Sequence, residues 1–190
     1  MKTIVFEKPK RGITGIDWQF YRIKWLAKIA SKEETRYNLS VIYVDNDLVG
    51  TATDGHRLHA ADVDGLLEPG YYGVRSVKSN MVILDQYETG EEPGRFPDWV
   101  QVFPRLSGQT RVFLPDKHDY AQGDVGPSVA LARIVRRMSG GLALKYQYLV
   151  DLLSDEANDG WTAYVDNGDG PVMFSNQDVS CIAAIMPCKA

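Results

Sequence analysis

Three side chains of a metal-binding type lie close together in the first third of the sequence. Asp54, His56 and His59 supply one carboxylate and two imidazoles within six residues. These groups are common oxygen and nitrogen ligands of zinc and other transition metals. One hypothesis is therefore a metal-dependent hydrolase that uses these three residues. The alternative is a polar turn in which the Asp54 carboxylate accepts backbone hydrogen bonds, as aspartate commonly does.

The rest of the sequence gives little support to catalysis. The only further histidine is His118, and the two cysteines, Cys181 and Cys188, lie far along the chain. The sequence has no glycine-rich phosphate loop, no nucleophile elbow and no dense cluster of acidic residues and histidines. We therefore predict a protein that is not an enzyme and that holds no metal or other cofactor.

A hairpin and a tight turn are predicted to position these side chains. Residues 40–44 and 48–53 are apolar runs on either side of the Asp-Asn-Asp turn at 45–47. The hairpin leads into an Asp-Gly-His sequence, where Gly55 permits a backbone turn that a residue with a Cβ resists. The polar side chains there surround a small surface with Leu58 as its apolar floor.

Length and composition are those of an ordinary globular protein. The 190 residues suffice for one well-buried core, or at most two small ones, and 44% of them are hydrophobic and 24% charged. No apolar run approaches the roughly 20 residues of a membrane span. The N-terminus resembles a strand rather than a signal peptide, and two cysteines are too few for a disulfide framework. We expect a cytoplasmic protein with no membrane contact.

The charges form alternating blocks. The net charge of −4 argues against a protein that coats nucleic acid indiscriminately. Basic residues outnumber acidic ones nine to six in residues 1–50 and seven to three in residues 105–150. Acidic residues prevail nine to four in residues 51–104 and seven to one in residues 151–190. This pattern permits two surfaces of opposite sign on one folded body.

The first basic block contains a predicted amphipathic helix that begins with Asp17 as its N-cap and extends to about Lys32. Its basic residues include Arg22, Lys24 and Lys28, and the last two share a face because they are four apart. A solvated helix surface is the simplest interpretation of these charges. The apolar stripe, at spacings of three and four, consists of Ile16, Phe20, Ile23, Leu26, Ala27 and Ala30.

The other predicted elements follow from local pattern. They are a strand pair at 71–76 and 81–86, an apolar crossover at 96–104, a strand at 111–114, a helix at 146–157, a hairpin at 161–165 and 171–175, and a closing strand at 180–187. Residues 129–138 fit a helix and a strand almost equally well.

Four pieces of sequence, in the same order, resemble the bacterial sliding clamp, the β subunit of DNA polymerase III. Residues 53–58, Thr-Asp-Gly-His-Arg-Leu, are similar to a segment of that family. Residues 36–39, Arg-Tyr-Asn-Leu, precede them as a similar Arg-Tyr-x-Leu does, and residues 95–99, Arg-Phe-Pro-Asp-Trp, resemble the family's Arg-Phe-Pro-Asp-Tyr. The fourth piece has two parts, residues 146–153 and 185–187, which resemble the family's last helix and its Met-Pro ending.

The resemblance implies an α+β fold. The expected DNA-clamp-like domain has two βα-plus-antiparallel-sheet repeats, with two main helices packed on a curved sheet. Residues 1–190 would form this one domain, with a first repeat at about 1–104 and a second at about 105–190. The resemblance also favours a strand at 129–138 that turns at 139–141 into residues 142–145.

The family's chain has three such domains, and two chains close a ring. This chain instead resembles the front half of the family's middle domain joined to the back half of its last domain. A ring would therefore need roughly six domains from separate chains, so a homo-oligomer is one expectation.

The implied function is that of a sliding-clamp-like, non-catalytic processivity factor in DNA replication or repair. In the family, a DNA polymerase or repair protein inserts a short extended peptide into a hydrophobic cleft. This chain departs from the family at Ala184, where valine is usual, and at 188–190, where Cys-Lys-Ala replaces Met-Arg-Leu. The positions that match the cleft are Leu39, Thr53, Gly55, His56, Arg57, Leu58, Pro97, Val102, Ala184, Met186 and Pro187.

The resemblance also gives the basic helix a role, because clamp helices face the phosphates of double-stranded DNA. Arg22, Lys24 and Lys28 would then contact duplex DNA without reading its sequence. A competing hypothesis is a decoy or regulator that binds clamp-interacting peptides without touching DNA.

Overall fold

The computed structural model describes residues 1–9, 17–30, 39–103, 110–113, 136, 143–154, 160–165 and 170–188. The chain divides into two compact units, Met1–Trp99 and Val100–Ala190. Each unit contains an antiparallel sheet and an α-helix. The α+β class predicted from the sequence is therefore confirmed.

The first unit is a six-stranded antiparallel sheet with one helix, α1 (Asp17–Ala27), packed against all six strands. The strands lie in the order β1-β6-β5-β2-β3-β4. Their bounds are β1 (Lys2–Glu7), β2 (Val41–Val44), β3 (Val49–Thr53), β4 (Arg57–Asp62), β5 (Gly70–Val77) and β6 (Met81–Gln86). A short 3₁₀ helix (Trp99–Val102) begins at the last residue of this unit and continues into the sequence of the second.

The core of this unit lies between α1 and the sheet. The predicted stripe from Phe20 to Ala30 is buried, although the α-helix ends at Ala27 and continues only as a turn. Asp17 is the first helical residue rather than the cap that precedes the helix. Trp25, which the stripe did not include, is also buried, and so the helix shows the sheet a wider apolar face than predicted.

Gly50 lets the helix approach the sheet closely. A Cβ built on this residue of β3 would lie 2.9 Å from Val63 Cγ1 and 3.0 Å from Leu26 Cδ1. Both neighbouring side chains are fully buried, so neither can move into solvent. The absence of a side chain at this position therefore sets the distance between β3 and α1.

His59 of β4 lies beneath the same helix and is fully buried. Its ring stacks on Trp25 with 3.9 Å between the ring centroids. Within the part of the chain that the structure describes, neither ring nitrogen has a hydrogen-bond partner of normal geometry. Burial, and then the nearby Arg57 and Lys28 charges, lower the pKa of His59 well below its usual value, while the Trp25 backbone acts in the opposite direction.

The second unit is a four-stranded antiparallel sheet with the helix α2 (Tyr146–Leu153). The strand order is β10-β9-β8-β7. On the helix, Leu149 and Leu152 are fully buried, whereas Tyr146 at its start is exposed. The strands are β7 (Thr110–Phe113), β8 (Thr162–Val165), β9 (Val172–Ser175) and β10 (Cys181–Ile185).

Most strands predicted from the sequence are confirmed, but two regions differ. The strand β4 was not predicted, because its sequence Arg-Leu-His-Ala-Ala-Asp lacks the apolar alternation of a half-buried strand. Of the strand expected at 142–145, residues 143–145 are described, and they form only a single bridge, between Ala143 and Cys188.

Several predictions fall on residues that the structure does not describe. Of residues 129–138, for which a strand was favoured, only Arg136 is described, and its backbone is helical. Residues 10–16, 31–38, 114–118, 139–142, 155–159 and 166–169 lie outside the described ranges, and they include parts of the predicted loops and helix ends. Among the described residues, no helix is long and apolar enough to span a bilayer.

Replacing Gly50 with alanine should test the close approach of α1. The added methyl group overfills a packed core, so we expect the free energy of unfolding to fall by about 1–3 kcal/mol in urea denaturation. Gly170→Ala is the matched control, because a Cβ there meets no atom within 4 Å and the residue has no positive φ. Equal losses in the two variants would contradict this account.

Acid should destabilise the protein through His59. Its pKa is lower in the folded than in the unfolded state, so the unfolded state binds more protons and stability falls as pH drops below about 6.5. We expect the free energy of unfolding to be lower at pH 5.5 than at pH 7.5, by on the order of 1 kcal/mol from this residue. His59→Phe should remove that component in urea titrations at the two pH values.

His56→Gln is the control for this experiment, because His56 is exposed and lies three residues away on the turn. This variant also lacks one histidine, so a pH dependence that is lost in His59→Phe but not in His56→Gln would assign the effect to the buried ring. A pH dependence that is unchanged in His59→Phe would show that another group is responsible.

Candidate functional site

The Asp-Gly-His sequence forms the turn of the hairpin that joins β3 to β4, in which Thr53 pairs with Leu58. Gly55 has a φ of 87°, in the left-handed region that suits glycine. The Thr53 hydroxyl donates to the Arg57 carbonyl at 2.6 Å and accepts the Gly55 N–H at 3.0 Å. The turn is thus closed by a side chain as well as by the strand ladder.

Asp54 holds the other side of the turn. Its Oδ1 accepts the N–H groups of His56 and Arg57, at 3.0 and 3.1 Å. Its Oδ2 forms a part-buried ion pair with Arg57 Nε at 3.0 Å. The carboxylate therefore acts as a structural cap, as the polar-turn interpretation of the sequence predicted.

The turn exposes some of the predicted cleft residues and buries others. Gly55 and His56 are exposed, whereas Thr53, Arg57 and Leu58 are buried, with Leu58 only 3% exposed. The buried side chains support the turn rather than contribute to its exposed surface. Within this turn, His56 is the side chain most available to another molecule.

The segment that contains Pro97 is held by contacts of its neighbour Phe96 with Tyr43 of β2 and Tyr71 of β5. The Phe96 ring stacks on Tyr43 at 5.3 Å between centroids, and the Phe96 N–H donates to Tyr71 Oη at 3.3 Å. Pro97 itself is exposed. Leu39, two residues before β2, is half-buried. Val102, which belongs to the second unit, is also half-buried.

The remaining predicted cleft residues lie at the end of β10 in the second unit. Ala184 is buried, Met186 is 42% exposed and Pro187 is half-buried. Just beyond them, the Cys188 N–H donates to the Ala143 carbonyl at 2.7 Å. The Met-Pro pair is thus held between a strand and a backbone hydrogen bond, with the methionine side chain at the surface.

The geometry does not support the metal-site hypothesis. His59 is enclosed under α1 and stacked on Trp25, His56 is exposed on the turn, and the Asp54 carboxylate is engaged with Arg57. Among the described ranges, no group of three or more His, Cys, Asp or Glu side chains could hold a metal ion. The hydrolase that would use these three residues is therefore not supported.

The three basic residues of α1 that were predicted to contact DNA differ in exposure. Arg22 is buried; its guanidinium lies 4.3 Å from the Trp18 ring centroid and donates to the Asp62 carbonyl at 2.8 Å. Lys24 is half-buried, and its ammonium donates to the Ser79 carbonyl at 2.9 Å. Arg22 is thus a packing residue, whereas Lys24 and Lys28 remain partly accessible.

The sequence analysis did not identify Trp18 and Asp62, the two residues that contact the Arg22 side chain. Trp18 stands four residues before Arg22, a spacing that brings two helical side chains together, so the sequence did hold a signal for this contact. Asp62 is forty residues away in the chain, and only the fold brings it to Arg22. The basic residues Arg75 and Lys78 were also missed, although they line a groove with Lys24 and Lys28.

Comparison with known proteins gives structural matches only. No protein-family model matches the sequence, and no curated protein matches it. Over the whole chain, the β sliding clamp of C. crescentus aligns with a TM-score of 0.60 and 15% identity, and the DNA polymerase III β chain of Streptococcus pneumoniae with a TM-score of 0.62 and 13% identity. The sliding clamp of Bartonella birtlesii bound to griselimycin matches 99% of the chain, with a TM-score of 0.55 and 17% identity.

These alignments cover 66%, 65% and 66% of the three clamp chains, respectively. The chain thus spans about two thirds of the length of the solved clamps that it matches. The fold implied by the resemblance of its sequence is confirmed: this protein has the fold of the bacterial DNA polymerase III β sliding clamps.

Proposed function

We propose that this chain is a non-catalytic, sliding-clamp-like accessory protein of DNA replication or repair. Its partner would be a DNA polymerase or repair protein, which it binds through a short extended peptide with apolar and aromatic side chains. The observation that carries the proposal is the clamp fold over the whole chain, joined to four clamp-like sequence pieces in the same order.

The surface chemistry at the predicted cleft positions agrees with this function. His56 offers a ring nitrogen for hydrogen bonding to a peptide, and Met186 offers an exposed, adaptable apolar side chain. Pro97 adds exposed apolar area, and Leu39, Val102 and Pro187 are partly accessible. The buried members of the set, Thr53, Arg57 and Leu58 in the turn and Ala184 in β10, would support the exposed residues of their own unit instead of contacting the peptide through their side chains.

Replacing Met186 with alanine should weaken peptide binding. The substitution removes most of the apolar area that the Met186 side chain could bury against the peptide. Because this side chain is about half exposed in the free protein, the binding free energy should weaken by roughly 1 kcal/mol, which corresponds to about fivefold in Kd. The measurement is fluorescence anisotropy of a labelled clamp-binding pentapeptide. Because Met186 is at the surface, the free energy of unfolding should change little.

Val179→Ala is the matched control, since Val179 is another exposed apolar residue of the second unit. It should leave the Kd for the peptide unchanged. A peptide that binds neither the unmodified protein nor the variants would rule out the peptide-binding function, and equal weakening by both substitutions would rule out the assignment of Met186.

DNA contact is the second part of the proposal and rests on Lys24 and Lys28. The decoy hypothesis, in which the protein binds peptides without DNA, is favoured by the burial of Arg22, which removes one of three expected cations from the surface. If the chain acts as a clamp on DNA, several copies must assemble, because one copy spans only part of a solved clamp.

Sedimentation with and without a DNA duplex should separate these two functions. For a clamp, the molecular mass obtained by sedimentation should be well above the 21.3 kDa of one chain. The clamp should also bind the duplex with an affinity that falls steeply as salt is added. A decoy should remain a monomer, bind the peptide and leave the duplex free.

A further inference from the structure

A stacked pair of aromatic rings joins α1 to β4. The ring centroids of Trp25 and His59 lie 3.9 Å apart, the ring planes are 26° from parallel, and both side chains are buried. Ala52 of β3 lies directly across the ladder from His59, and its small side chain leaves room for the two rings. Two residues earlier, a Cβ on Gly50 would lie 3.0 Å from Leu26 Cδ1 of the helix. The stack is therefore enclosed between α1 and the strands β3 and β4.

The surroundings of the His59 ring favour its neutral form. Neither ring nitrogen has a hydrogen-bond partner of normal geometry within the part of the chain that is described. Two positive charges act on the ring, those of Arg57, two residues earlier in β4, and of Lys28, just after α1. The Trp25 backbone favours the protonated ring, but the pKa is lowered overall, mainly by burial. An imidazolium formed here would face two like charges without a well-placed hydrogen-bond acceptor.

The carboxylates of β4 and of the turn before it are engaged by other cations. Asp54 Oδ2 lies 3.0 Å from Arg57 Nε, and Asp62 Oδ2 lies 3.9 Å from Arg22 Nη1. A protonated ring would gain a cation–π attraction to the Trp25 indole, but this attraction is weak beside the cost of burying an unpaired charge. Protonation therefore opposes the closed stack.

We propose that the stack is an acid-sensitive latch, in which a proton on His59 releases the last turn of α1 from β4 while the sheet stays paired. Trp25 lies in that last turn, and beyond Ala27 the chain continues only as a turn. Backbone hydrogen bonds, by contrast, join β4 to β3 from Leu58 to Asp62. The helix end is therefore the part that can move at the lowest cost in free energy.

Opening this latch changes the surface at the helix end. Lys28 lies just after α1, and Lys24, in its last turn, donates to the Ser79 carbonyl of the turn between β5 and β6. Release of the helix end would break this bond and change the positions of both lysines, on which the proposed DNA contact depends. The latch goes beyond the proposed function, because it is measured on the protein alone and its failure would not affect peptide or DNA binding to the closed form.

The test is amide hydrogen exchange by NMR on the whole chain between pH 5 and pH 8, with each rate corrected for the intrinsic effect of pH. The reporters are the N–H groups of Lys28 and Ile29, which donate to the Lys24 and Leu26 carbonyls at the helix end. Since a free imidazole titrates near pH 6.5, protection of these amides should be level above about pH 7 and fall about tenfold for each pH unit below about 6. The amides of β6 should remain better protected and show a steeper dependence on urea, because they exchange through global unfolding.

His59→Phe keeps an aromatic ring in the stack but cannot take up a proton, so the fall in protection at Lys28 and Ile29 should vanish. His56→Gln is the matched control and should keep this fall, because His56 is exposed on the turn. A fall that persists in His59→Phe, or that is lost equally in His56→Gln, would overturn the latch.

If His59→Phe does not fold, the exchange profile of the unmodified protein decides the question. A fall that begins only near pH 4, as for a carboxylate, would contradict a role for the His59 ring. Equal protection and equal urea dependence at the helix end and in β6 would show that the helix end does not open separately from the sheet.

Discussion

The packing of α1 against β3 and β4 is the contact on which the rest of the first unit depends. Trp25 stacks on His59 in the middle of β4, and Arg22 donates to the Asp62 carbonyl at the end of that strand. Gly50 lets the helix come close enough for both contacts to form. The helix therefore fixes β4 at two points, and the turn at the start of β4 extends from a rigid base. A histidine in this position is tolerated because it stays neutral at physiological pH, so that it packs as an aromatic ring.

The polar side chains of the turn also hold its backbone in place. The Asp54 carboxylate and the Thr53 hydroxyl are both engaged with the turn's own backbone. Few strong polar groups are left to face a partner, apart from the imidazole of His56. The structure thus explains why three side chains of metal-binding types, Asp54, His56 and His59, belong to a capped turn and a packed strand rather than to a metal centre.

The sequence predicted the parts of this fold that depend on neighbours close in the chain. The turn at 45–47, the strands beside it and the apolar face of α1 all follow from local pattern. β4 was missed because it is buried along most of its length and contains Arg57 and His59, which are atypical of a buried strand. The burial of Arg22 was not predicted, because it depends on a contact with Asp62, forty residues away in the chain. Only contacts between distant segments decide which charges reach solvent.

The two cysteines differ sharply in accessibility. Cys181 is buried in β10, whereas Cys188 is exposed two residues after Met186. A maleimide dye would therefore react selectively at Cys188 in the folded protein, without any engineered thiol. The fluorophore would report on its surroundings from beside the Met-Pro pair, giving an optical signal for occupancy of that end of the molecule.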